Sequence, residues 1–507
     1  MKTATKVVLN AVVLYAKILL TMAISLITVP MVLHALGQSD YGLYSLVGGI
    51  IAMLAFLNNS MSVATQRFMS VAMGKGNLEE INKVFNVNLK LHFILGIIVV
   101  VGLELIGLFA FDRLNIEPEN VWRARIVFQF LVITTFANII CVPLHGVINA
   151  REDMVVFSVI GVIDSLLALG VAALLSHVSG DRLLIYGLGM MLIPLATFSL
   201  TFMFVRKAYP EYKIEFRKYS DKGLFKEVFS FAGWNLFGAV AMMCRNQGTA
   251  VVINLFLGTI ANAAYGIANQ INGALGHFTA TIHKALNPQL MKSEGMNNRQ
   301  RMHKISFISS KFGVLALALF AVPLILEMPE VLHLWLRRDI PPYTVRLSQL
   351  ILVLSMVYQY SSGLMSSIQA TGRIRNYQIT MSLIILLNLP IAYFILKAGY
   401  PIYYVTAAFV VLEVISLIVR IFMAHKITGM DIPDYFKQVI FPTAIVVGAS
   451  FIVGLIPYFF IQRSFVRVIV VSFVYAVVYL SLLWVVALDT KQKESIVSFI
   501  RNKKHIG

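Results

Sequence analysis

The stretch VFSFAGWNLFGAVAMMCRNQGTAVVINLFL, residues 228–257, decides the fold class. It is thirty residues long and apolar at both ends, and Arg245, Asn246 and Gln247 interrupt its centre. About 20 apolar residues suffice to cross a bilayer as a helix, so the run predicts a membrane span with a guanidinium near its middle. Composition agrees. The 507 residues are 58% hydrophobic and only 13% charged, with a mean hydropathy of +0.80. A soluble chain would be nearer 25% charged.

Working outward, fourteen such runs fit, at 8–34, 42–65, 91–111, 124–148, 154–177, 183–205, 228–257, 262–286, 305–327, 346–370, 377–397, 402–424, 438–460 and 467–488. Backbone in lipid must satisfy its own polar groups, so these runs predict helices; a barrel would show shorter alternating segments. The expected fold class is therefore an all-α integral membrane protein with 14 transmembrane helices. Net charge is +18. With the N-terminus inside, and cations near a span end counted with that end, 30 of the 42 Lys and Arg fall on the inner side and 10 outside, with Lys17 and Arg245 deep within spans. The positive-inside rule thus predicts inner N- and C-termini and accounts for the basic excess without nucleic acid. Cys141 and Cys244 both fall within spans and lack metal-ligand spacing.

The halves of the chain echo each other. Leu36-Gly37 opens LGQSDYG and Leu257-Gly258 opens LGTIANAAYG, 221 residues apart; Arg125 and Arg346 share that offset. A constant offset between weak landmarks predicts a tandem duplication. Helices 1–6 form one unit (1–215) and helices 7–12 the second (216–430). Helices 13 and 14 and a basic tail (431–507) lie outside the repeat. Six spans per unit gives parallel repeats, a transporter plan. The segment YSDKGLFKEVFSF, residues 219–231, reads as an amphipathic elbow on the inner surface.

Three further stretches carry a resemblance: SLITVPMVLHALGQSDYGLYSLVGGI (25–50), SVATQRFMSVAMGKGNLEEINKVFNVNLK (62–90) and FAGWNLFGAVAMMCRNQGTAVVINLFLG (231–258). Together with the 12 + 2 helix plan, the chain resembles the polysaccharide (Wzx-type) flippases of the multidrug/oligosaccharidyl-lipid/polysaccharide (MOP) exporter superfamily. The resemblance implies two six-helix lobes around a cavity, with the extra helix pair bordering a groove for a lipid tail. It implies export of an undecaprenyl-pyrophosphate-linked oligosaccharide from the inner to the outer leaflet of a bacterial inner membrane, for O-antigen or capsule assembly.

Buried charge points to the site. An ionisable group at a helix centre costs about 2.5–3.5 kcal/mol, so such groups face a wet interior or a partner. Arg245 lies too deep to snorkel and suits bidentate phosphate contacts. It is the expected pyrophosphate ligand, with Lys17 as a second cation unless Lys17 snorkels to the inner end. Asn10, Asn235, Asn246 and Gln247 are expected as cavity polar groups. Asp164, Glu104 and Glu413 are candidates for binding a coupling H⁺ or Na⁺, or for neutralising the cations. Pro30, Pro143, Pro194, Pro323 and Pro390 are candidate bending points or static kinks. No nucleotide loop or nucleophile elbow is present, so the reading is a transporter and not an enzyme, with no cofactor. Its expected partners are the lipid-linked oligosaccharide, membrane lipids and polysaccharide assembly proteins. The rivals are a cation-coupled multidrug antiporter of the same superfamily, a lipid II flippase, and a membrane glycan polymerase or ligase. The outer loop expected over Glu327–Val345 is short for the last.

Overall fold

A computed structural model describes residues 3–52, 55–111, 116–336, 340–490 and 492–494. The expected tail beyond residue 494 lies outside them. The described chain is helical: α1 Thr3–Ala52, α2 Ala55–Lys75, α3 Leu78–Ala110, α4 Val121–Arg151, α5 Met154–Leu175, α6 Arg182–Ala208, α7 Lys222–Gly295, α8 Arg299–Leu336, α9 Thr344–Tyr360, α10 Ser362–Thr371, α11 Arg375–Leu386, α12 Asn388–Lys397, α13 Ile402–Thr428, α14 Ile432–Tyr435, α15 Phe441–Phe460 and α16 Phe465–Leu482. No strand occurs among the described residues.

Eleven of these helices are long and apolar enough to cross a membrane, or twelve if the α9–α10 pair, bent by 42°, is one span. Expected runs have merged. The runs at 228–257 and 262–286 are both parts of the 74-residue α7. The runs at 8–34 and 42–65 share α1, and the second ends in α2, where Ser60, Thr65, Gln66, Arg67 and Ser70 lower the apolar content. A single glycine marks each internal break. Gly37 has φ 76° and ψ 172°, and Gly258 has φ 75° and ψ −168°. Positive φ carries a steric cost for residues with a Cβ, which is why glycine stands at both. The two breaks lie 221 residues apart, the offset read from the sequence. The loop expected over Glu327–Val345 is largely helix as well, because α8 continues through a kink at Glu327 to Leu336.

The chain divides into two compact units: residues 9–236, and residues 237–507 together with the first eight. In the unit 9–236, α4 packs against α2, α3 and α6. Its core holds Val47, Leu103, Val127, Phe128 and Leu183, all essentially fully buried. Glycine permits the close approach: a Cβ on Gly107 would stand 2.7 Å from the Phe128 ring. Small residues at helix contacts are how membrane helices gain van der Waals packing. Arg123 ties three helices together. Its Nε donates to Asp181 at 2.6 Å and its Nη1 and Nη2 to Asp40 at 2.8 and 2.7 Å. Burial opposes ionisation of Asp181, yet hydrogen bonds from Arg123 and from the Leu184 and Leu183 amides outweigh it and hold its carboxyl below the usual range.

The connection from α6 to α7 is pinned to α3. Asn82 donates to the Glu211 carbonyl (3.0 Å) and accepts from the Lys213 amide (2.8 Å). Asn86, one turn on, donates to the Lys213 carbonyl (2.7 Å) and accepts from the Glu215 amide (2.9 Å). Two side-chain amides thereby act as a strand partner for an otherwise irregular segment and pair its partly buried backbone groups.

In the unit 237–507, α8 carries the C-terminal helices. Tyr475 and Tyr479, both fully buried, donate to the Ala318 carbonyl (3.0 Å) and the Leu315 carbonyl (2.6 Å). Arg467 pairs with Glu327 at 2.8 Å, and Lys311 donates to the Ala487 carbonyl at 2.7 Å. Large apolar side chains such as Leu26, Leu255 and Phe460 point outward at 72–85% exposure. Such a surface on this scale is lipid-facing, not water-facing.

Candidate functional site

Arg245 sits on α7 in the unit 237–507 and is half-buried. Its Nε and Nη2 both donate to Asn246 Oδ1, at 3.2 and 3.1 Å. No carboxylate of a described residue pairs with it, and its charge is felt by the Tyr358 phenol on α9. Asn246 and Gln247 are exposed. Gln247 lines a hollow of about 260 Å³ with Asn254 and Asn262. Thr249 is buried and its hydroxyl has no hydrogen-bond partner. The polar break at 242–252 therefore yields a cation steadied by an amide on its own helix turn, without a carboxylate partner among the described residues.

The same unit contains a buried charge centre on α13. Glu413, expected to bind a coupling ion or to neutralise a cation, meets Arg420, a cation near the expected inner end of its span. The two form an ion pair at 2.5 Å, with side chains 6% and 2% exposed. Arg420 Nη1 also donates to Ser361 at the α9–α10 bend (2.9 Å), and its guanidinium lies 5.2 Å from the Tyr358 ring centroid. The signal was present: residues seven apart share one helix face.

In the unit 9–236, the Lys17 ammonium lies 4.4 Å from the Phe157 ring centroid on α5. A Cβ added to Gly161 would stand 2.4 Å from its Nζ and Cε, so this cation nests where only glycine leaves room. Asp164, one turn further along α5, attracts it electrostatically without direct pairing. Asp164 lines a cavity of about 350 Å³ with Thr28, Thr134, Asn138, Ser165 and Thr197. The Thr134 hydroxyl there has no partner. Sequence reading misses Asn138, Thr134 and Thr197, since a polar residue in a span gains meaning only when a carboxylate stands opposite.

The remaining candidates lie elsewhere. The Asn10 amide donates to the Glu152 carbonyl at 3.1 Å, supporting the left-handed turn between α4 and α5 (φ 63° at Glu152). Asn235 is buried and donates to the Phe231 carbonyl one turn back at 3.0 Å. Glu104 accepts from Gln129 at 3.1 Å on the outside of its unit.

The family described as "Polysaccharide biosynthesis protein" matches residues 7–294, more than half of the chain. The chain belongs to this family. No curated protein is significantly similar to it in sequence. Solved structures share its fold. A MATE in the straight conformation matches with a TM-score of 0.74 at 14% identity, over 85% of this chain and 97% of that one. An outward-facing multidrug resistance MATE transporter of the MOP superfamily matches at 0.72 and 14%, over 85% and 98%. A MOP superfamily transporter from Pyrococcus furiosus, described as having a binding pocket of reverse polarity, matches at 0.71 and 14%, over 85% and 98%. With this family and fold, the chain is a multi-pass membrane protein of the Wzx-type flippase family.

Proposed function

We propose that this protein flips an undecaprenyl-pyrophosphate-linked oligosaccharide from the inner to the outer leaflet of a bacterial inner membrane by alternating access, for O-antigen or capsule assembly. One observation carries the reading: Arg245 is a mid-span guanidinium, partly exposed and without a carboxylate partner among the described residues. An unpaired cation in a span is retained at a cost, and a diphosphate is the membrane-borne anion that would offset it. Lys17, carried by the other unit, is a second candidate phosphate contact. The cationic character disfavours organic cations as cargo, and hence a multidrug antiporter.

Counting the α9–α10 pair as one span and the segments on either side of Gly37 and Gly258 as separate spans gives fourteen, in two six-helix lobes (1–215 and 216–430) with inner termini. The α15–α16 pair then lies outside the repeat, where it serves the prenyl tail. Asp164, with Asn138, Thr134 and Thr197, is the proposed site for a coupling H⁺ or Na⁺. A membrane potential would add about 2.3 kcal/mol per charge per 100 mV.

The test is Arg245→Ala in a deletion strain. The expected result is loss of surface glycan and accumulation of the lipid-linked intermediate, with protein level and membrane insertion unchanged and with partial rescue by Arg245→Lys. Normal export by Arg245→Ala would remove the basis of the proposal.

A further inference from the structure

The segment joining α6 to α7 is held rigidly on α3, and its charges are unequally spent. Each of its acids has an internal partner. Glu211 pairs with Arg151, which also lies over the Tyr209 and Tyr212 rings at 5.3 and 5.5 Å. Glu215 pairs with Lys218 (3.7 Å), Asp221 caps α7 by accepting from the Leu224 amide (2.9 Å), and Glu227 pairs with Arg67 (3.4 Å). The cations are left over. Lys90, Lys213, Arg217, Lys222 and Lys226 make no ion pair with any described carboxylate, and all five are exposed.

Two of them, Lys90 on α3 and Lys222 at the start of α7, flank a hollow of about 180 Å³ that also takes in Ser220, Phe216, Phe225 and Asp221, whose carboxylate is turned to the Leu224 amide. Phe216 is 50% exposed. The height of this hollow is fixed by the sequence. Lys90 immediately precedes the apolar run at 91–111, and Lys222 shortly precedes the run at 228–257. Both lysines therefore stand where hydrocarbon gives way to headgroups, the depth at which basic and aromatic residues anchor to lipid.

We propose that this hollow is a binding site for the headgroup of an anionic phospholipid. Lys90 and Lys222 contact the phosphate, Ser220 donates a hydrogen bond, and Phe216 enters the adjoining lipid. Two lysines against the single Asp221 carboxylate, which is engaged with the Leu224 amide, leave the hollow positive and select anionic over zwitterionic lipid. This inference is independent of the cargo proposed above.

The experiment is native mass spectrometry of the purified full chain titrated with phosphatidylglycerol or phosphatidylcholine. Phosphatidylglycerol should bind more tightly. Lys90→Gln and Lys222→Gln should each weaken it about fivefold and leave phosphatidylcholine unchanged. Lys222→Arg should retain binding. Lys83→Gln, which removes a lysine already paired with Glu79 at 3.3 Å, should have no effect. Equal affinity for the two lipids, or a Lys90→Gln/Lys222→Gln protein that holds phosphatidylglycerol as the wild type does, would overturn the proposal. So would inorganic pyrophosphate displacing phosphatidylglycerol at equal concentration, because the hollow would then be a site for free anions.

Discussion

Replacing Glu413 by Gln tests the buried charge pair of the second unit. Arg420 is 2% exposed, and its Nη1 is shared between Glu413 at 2.5 Å and Ser361 at 2.9 Å. Its Nε already has no hydrogen-bond partner. The substitution keeps the shape of the site but leaves a guanidinium without a counter-charge. Removing one partner of a buried ion pair costs about 3–5 kcal/mol. For a unit of this length that is a fall in melting temperature of roughly 5–10 °C. The assay is thermal unfolding of the detergent-solubilised protein. A double variant with apolar groups at both positions, Glu413→Leu with Arg420→Met, should recover most of the loss, since a buried pair replaced by apolar groups is close to neutral. A Glu413→Gln protein melting within a degree of wild type would refute the reasoning. The double variant also separates two roles for Glu413. A structural pair predicts restored export along with restored stability. A coupling carboxylate predicts a stable protein that does not export.

Two other substitutions follow from glycine positions. Gly161→Ala would place a methyl group where the Lys17 ammonium lies, 2.4 Å from Nζ. A flexible side chain can yield, so the stability cost should sit at the low end of overpacking, about 1 kcal/mol, while glycan export falls if Lys17 acts from that position; unchanged export in a complementation assay would free Lys17 from the mechanism. Gly258→Ala, at φ 75°, should lower stability by about 1–2 kcal/mol, and Gly37→Ala, at φ 76°, by a similar amount. A thermal melt that leaves either unaffected would show that the break does not need its left-handed residue.

The polar break at 245–247 was legible because charge is so rare within spans that one arginine stands out. The twin glycine breaks were legible as a repeat offset but not as breaks: hydropathy registers an apolar gap, whereas the structure continues each helix through a single residue of altered φ. The span at 402–424 shows the opposite failure. Glu413 was visible, and Arg420 lay near enough to the end to count with the inner-side cations. Seven residues of helix turn it to the same face as Glu413, and packing against Tyr358 and Ser361 buries it. Asn10 is expected as a cavity group from the family resemblance; in the structure its amide serves the α4–α5 turn 142 residues away.

Sequence by itself determined the solvent, the all-helical class and the family, because the bilayer demands long apolar runs and leaves the backbone few alternatives. It also determined which ionisable groups are present at depth. Tertiary structure alone decided which of those groups have partners. Glu413 is neutralised by Arg420, Glu104 accepts from Gln129, and Asp164 faces a polar cavity, whereas Arg245 has no carboxylate partner among the described residues. Pairing depends on distances of a few ångströms between helices far apart in the chain, and hydropathy carries no information at that scale.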